Sequence, residues 1–180
     1  MSEQVTAHLH WQGLSELDLM CLCRFADGSS QLVSFADDGA LEQKPFVQLL
    51  SDYKFQEVPT DNQEIAELNL SEDSLMAVWF FTWDFEQVEA GVEAAFEEYE
   101  LYLELRQKEG VLGESTREVS KSTDEGEGNA ICLGCWRREQ VSDGTLGLQE
   151  INQRFMMPLL EGMEEVEAKL DTWVKAYQAQ

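Results

Sequence analysis

Ser15-Glu16-Leu17-Asp18-Leu19-Met20-Cys21-Leu22-Cys23-Arg24-Phe25-Ala26-Asp27-Gly28 is the stretch on which the fold turns. Leu17, Leu19, Cys21, Cys23 and Phe25 fall at every second position, the period at which a β-strand presents one face to a core. Asp27-Gly28 ends the run with turn residues. The flanking segments repeat the pattern. Val5, Ala7, Leu9 and Trp11 alternate with polar positions, and residues 31–35 form a short strand running into a second turn at Asp37-Asp38-Gly39. Residues 44–60 are polar and irregular, and Pro45 and Pro59 oppose a continuous strand there. Residues 65–70 and 75–83 follow as strands. The second is nearly all apolar, as expected of a central strand.

Val88, Val92 and Phe96 recur at four-residue spacing and predict a short helix within residues 85–97, despite Gly91. Tyr99, Leu101, Leu103 and Leu105 then alternate with polar residues as a strand. Residues 110–129, rich in Gly, Ser, Thr and Glu, are expected as a long loop or hairpin. Residues 130–136 resume as a strand, and residues 140–148 make a further turn and strand. From Pro158 onward, Leu159, Leu160, Met163, Val166, Leu170, Trp173, Val174 and Tyr177 fall at helical spacing opposite an acidic face. The expected fold is therefore mainly β: a β-sandwich of antiparallel strands with a short internal helix and a C-terminal amphipathic helix. Residues 1–150 would form the sandwich domain, and residues 151–180 a C-terminal helix packed on it or used for association.

The chain has 180 residues, with 36 Asp and Glu against 12 Lys and Arg, a net charge of -24. A hydrophobic fraction of 43% with five Trp and nine Phe is too rich for a disordered acidic tail. So acidic a surface repels phosphate, which argues against nucleic-acid binding and against unaided docking on anionic lipid. No stretch approaches the roughly 18 apolar residues that span a bilayer, so no membrane insertion is expected. Met1-Ser2-Glu3-Gln4 lacks the basic and apolar regions of a secretory signal, so the expected location is cytoplasmic and the four cysteines are expected as reduced thiols.

Two acidic stretches carry the candidate chemistry. Glu16 and Asp18 share one strand face, and Asp52, Glu57, Asp61, Asn62 and Glu64 are read as a loop preceding a strand. Calcium takes six to eight oxygens from carboxylates, amides and carbonyls. Two such segments meeting at one end of a sandwich would supply them, although a solvated acidic face is the plainer reading. Cys132-x-x-Cys135 with Cys21-x-Cys23 has zinc-like spacing. On a regular strand, however, Cys132 and Cys135 would face opposite sides, and Cys21 and Cys23 lie among apolar residues. His8 and His10 point away from the Val5, Leu9 and Trp11 face and are expected at the surface. Phosphate-loop, dinucleotide, nucleophile-elbow and zinc-protease signatures are absent, so no enzymatic activity is expected. Trp79, Phe80, Phe81 and Trp83 would line either a core or a ligand pocket.

Ser15 to Leu22 followed by Ala-Asp-Gly resembles the opening of the TerD-domain family of tellurium-resistance and stress-response proteins, which carries Asp-Leu-Asp-Leu, a strand and a turn. Ser51-Asp52 and Asp61-Asn62-Gln63-Glu64-Ile65 resemble the two ends of that family's acidic loop. Phe85-Glu86-Gln87-Val88 is similar to its Phe-x-x-Val, and Gly128 to Gly134 to its late strand. The resemblance covers roughly residues 5 to 150. It implies a calcium-binding β-sandwich without catalytic chemistry, with Glu16, Asp18, Asp52, Asp61 and Asn62 as ligands and other stress-response proteins as partners. Where the family has glycines in that loop, this chain has Tyr53, Lys54, Phe55, Gln56, Val58 and Pro59. Two other functions stand beside this one: an interaction module using the C-terminal helix, for instance in a homo-oligomer, or an acidic β-sandwich enzyme acting on a small molecule.

Overall fold

The structure, a computed structural model, describes residues 4–50, 62–109, 114–121, 127–141 and 146–180. In chain order its strands are β1 (Gln4–Trp11), β2 (Leu17–Phe25), β3 (Ser30–Val33), β4 (Gly39–Ala40), β5 (Val47–Leu49), β6 (Asn62–Asn69), β7 (Leu75–Asp84), β8 (Tyr102–Glu109), β9 (Glu114–Lys121), β10 (Ala130–Arg137) and β11 (Leu148–Phe155). Helix α1 (Phe85–Ala90) follows β7, and α2 (Met163–Gln178) ends the chain. The strands form two antiparallel sheets, a six-stranded one in the order β4-β5-β6-β1-β8-β9 and a five-stranded one in the order β11-β10-β7-β2-β3. This is the antiparallel β-sandwich that the alternation predicts.

The core between the sheets takes the alternate residues. Val5, Ala7, Leu9 and Trp11 of β1 face Leu17, Leu19, Cys21, Cys23 and Phe25 of β2, with Val78 and Phe80 of β7 and Leu103 and Leu105 of β8. A second core lies on the outer face of the five-stranded sheet. There Met20, Leu22, Trp79, Phe81, Trp83, Cys132 and Cys135 pack under Val166, Leu170 and Val174 of α2. Trp173 seals the layer, its ring 5.6 Å from Phe81 and 5.4 Å from both Phe155 and Tyr177. Strand β7 lies between β2 and β10 and is covered on both faces, which is why its sequence is apolar at consecutive positions. Among the described residues no helix is long and apolar enough to cross a membrane.

The structure sharpens or departs from the sequence expectations at four places. Helix α1 stops at Gly91, whose left-handed backbone (φ 70) caps it, so Val92 is exposed and Phe96 sits in a separate 3-10 turn, Phe96–Glu98. Residues 114–121, expected within a loop or hairpin, form β9 in register with β8. Helix α2 begins at Met163 rather than Pro158. Buried Asn129 ties down the Met157 peptide before it: its Nδ2 donates to Met157 O (3.1 Å) and its Oδ1 accepts Met157 N–H (2.7 Å). The residue before a proline is itself pushed toward extended backbone, and Gly162 is the extended N-cap (φ -158). Finally, β10 carries a bulge between Cys132 and Gly134, which shifts the register by one. Cys132 and Cys135 therefore share the helix-covered face, contrary to regular strand spacing.

The sandwich is closed on one side and open on the other. On the closed side β9 approaches the other sheet, with Ser120 Oγ donating to Leu133 O at 2.5 Å. On the open side β3 pairs only with Cys21–Arg24, so the leading half of β2 has no strand neighbour there among the described residues.

Candidate functional site

The leading half of β2 borders a cleft of about 350 Å³, lined by Asp18, Phe35, Asp38, Leu49, Leu50, Glu64 and Ile65. Sheet geometry brings these residues together. On β6, Asn62 lies opposite Trp11, Glu64 opposite Leu9, and Ala66 opposite Ala7, so Asn62 and Glu64 occupy core-facing positions at one end of the strand. Glu64 reaches across the sandwich to the free edge of β2, where its Oε2 accepts Leu19 N–H at 2.5 Å. That bond satisfies a donor which a longer β3 would otherwise take. Asp18 approaches the same edge from the helix-covered face and accepts Trp83 Nε1–H at 2.9 Å through Oδ2.

Two carboxylates are thus each held by one oxygen, at a place where ionisation is unfavourable. Burial pushes Glu64 up to about 8, against the lowering effect of the Leu19 N–H and reinforced by the charges of Asp18 and Glu16. Burial likewise raises Asp18, with Glu16 adding to the rise and the Trp83 hydrogen bond opposing it. No Lys or Arg lines the cleft among the described residues. It is a pair of carboxyl groups in partly dry surroundings that disfavour their charged forms, so a cation would find carboxylates that gain by being neutralised.

Of the residues expected to hold calcium, Asp18 is in the cleft, and Glu16 is exposed but acts electrostatically on both Asp18 and Glu64. Asn62 is fully buried. Its Nδ2 donates to Gly13 O (2.9 Å) and ties β6 to the β1–β2 turn, while its Oδ1 has no hydrogen-bond partner. Asn62 and Glu64, read from sequence as part of a loop, lie within β6. Asp52, Glu57 and Asp61 lie outside the described residues. Among the described residues no three His, Cys, Asp or Glu side chains are grouped as a metal would require. Asp38 and Glu64 are the cleft carboxylates absent from the expected ligand set. Glu64 was detectable, because counting back from Leu68 and Ala66 by two places a carboxylate on the core face.

The other constellations are structural. All four cysteines are free and buried, and burial raises each thiol, Cys135 to about 12. Cys21 and Cys23 lie in the inter-sheet core and Cys132 and Cys135 under α2, so the five-stranded sheet separates the pairs and prevents a four-thiolate site. His8 and His10 do face away from the core, yet they are only 7% and 4% exposed. His10 stacks on Tyr102 (4.4 Å between ring centroids) with its Nε2 3.5 Å from Glu104, and His8 contacts Thr6 and Gln63. Burial, with Arg106 nearby, lowers the His8 pKa. Trp79 and Phe81 are fully buried in the layer beneath α2. No protein-family model, no curated protein and no solved structure matches the chain.

Proposed function

We propose that this chain is a non-catalytic, TerD-like binding module of a stress or tellurium-resistance response, and that its carboxylate cleft takes a calcium ion. The observation that supports this reading is the pairing of Glu64 and Asp18 across the free edge of β2. Both carboxylates are penalised for ionising, and no basic side chain lines their cleft among the described residues. A divalent cation would relieve that penalty, and calcium's preference for hard, loosely arranged oxygens matches the donors present. Asp18 and Glu64 would hold the ion together with Asp52 and Asp61, which the TerD resemblance implies as ligands. Asn62, with its buried Oδ1, would contribute an amide oxygen.

Calcium titration calorimetry on chelator-stripped protein, with a thermal melt alongside, tests this reading. Micromolar binding that raises the melting temperature is expected, because a ligand that prefers the native state stabilises it by mass action. Asp18→Asn combined with Asp61→Asn should remove the rise. No heat and no shift in the wild type, or an unchanged rise in the double variant, would overturn the assignment.

A further inference from the structure

Beside the carboxylate cleft, on the far side of Phe35, lies an apolar groove of about 200 Å³ between β7, α1 and the segment that leads into α2. Phe35 borders both the cleft and the groove. The rest of the groove wall includes Trp83, Phe85, Leu159, Met163 and Val166. Phe35 and Leu159 are each 59% exposed and Phe85 is 38% exposed, so three large apolar side chains stand in solvent around one depression. Its rim is acidic. Glu161 lines the groove, Glu86 and Glu89 are exposed on α1, and Glu164 and Glu165 are exposed in the first turn of α2. Asp18, Asp38 and Glu64 lie across Phe35, and no Lys or Arg lines either depression among the described residues.

We infer that this groove docks a short basic amphipathic segment of a partner protein. Its volume is below the roughly 300–1,000 Å³ of pockets that enclose whole small molecules and suits one anchoring apolar side chain. The acidic rim and the net charge of -24 select the sign of the flanking residues: Lys or Arg on either side of the anchor reach Glu161 on one side and Asp38 on the other. The apolar stripe of α2 is not available for this role, because Val166, Leu170 and Val174 are buried on the protein's own sheet. The inference rests on the binding-module reading and is independent of calcium.

The test is fluorescence anisotropy of a labelled peptide of Leu and Lys at helical spacing, in chelator, with a Leu/Glu peptide of the same pattern as control. Phe35→Asp/Leu159→Asp should weaken Leu/Lys binding about tenfold or more, although it adds two negative charges that would strengthen a purely electrostatic attraction. Phe35→Ser/Leu159→Ser, which adds no charge, should do the same. Val141→Asp alters an exposed residue (47%) beyond the opposite end of β7 and should stay within about twofold of wild type. Absence of Leu/Lys binding, unchanged binding by both double variants, or equal binding of the Leu/Glu peptide would overturn the inference. So would a wild-type dimer in sedimentation that the double variants dissociate, since the groove would then belong to a second copy. Because every titration is run in chelator, failure of the calcium reading would leave these results unaffected, and a failure here would leave the calcium calorimetry standing.

Discussion

Glu64→Gln is expected to make the protein more stable at alkaline pH and to leave it unchanged in acid. The native carboxyl titrates at about 8, against an ordinary value of 4.5. Below pH 4.5 the group is protonated in both the native and unfolded states and contributes no pH dependence. Between 4.5 and 8 the unfolded chain ionises while the native protein keeps the proton, so native stability falls as pH rises. Above 8 both states are ionised and the cost is complete. At about 1.4 kcal/mol per pH unit the ceiling is about 5 kcal/mol. Glu64 is only partly shielded from solvent, and screening reduces this to about 2–3 kcal/mol. Glutamine keeps a carbonyl oxygen to accept Leu19 N–H but cannot ionise. At about 2–4 °C per kcal/mol for a chain of this size, the variant should melt about 4–12 °C above wild type at pH 9. Melts of both proteins in chelator from pH 4 to 9 should therefore diverge between pH 4.5 and 8 and run parallel above. The difference between variant and wild type is the proper readout, because the net charge of -24 imposes a general alkaline destabilisation on both. Parallel curves over the whole range would refute the reasoning. Saturating calcium at pH 8 should shrink the variant's advantage, since the cation rewards the ionised carboxylate that glutamine cannot provide.

Two other predictions concern the second core. Leu170→Ala, at a position with no exposure beneath α2, should cost about 2–5 kcal/mol in chemical denaturation, and a cost below about 1 kcal/mol would mean that the helix is not bound to the sheet. The four thiols should be inert to a disulfide reagent in the native protein and react only on unfolding, because burial disfavours every thiolate. Fast labelling of Cys132 or Cys135 under native conditions would show that α2 opens readily.

Asp18 was legible as a cleft residue because it shares a strand face with Glu16 at the head of β2. Glu64 was named among the acidic residues but read as part of a loop, whereas the structure places it within a strand that begins at Asn62. Its partner, the Leu19 N–H, is a backbone group on another sheet, and no residue pattern advertises it. The same limit explains Cys132 and Cys135, where a one-residue bulge reverses the facing that strict alternation predicts. It also explains the start of α2, where helical spacing from Pro158 gives way to an extended N-cap at Gly162 after a segment tied at Met157 to Asn129, 28 positions before it.

What the sequence determined by itself is what depends on near neighbours: the strand period of Leu17 to Phe25, the helical stripe of Val166, Leu170 and Val174, and the acidity of the surface. These follow from side-chain direction and backbone propensity, which act over one or two turns of chain. Only the tertiary structure decided that β3 stops short beside β2, that Glu64 crosses to cover the resulting edge, and that Phe35 divides an acidic cleft from an apolar groove. Each of these depends on where separate strands end relative to one another, a quantity set by packing and register across the whole sandwich.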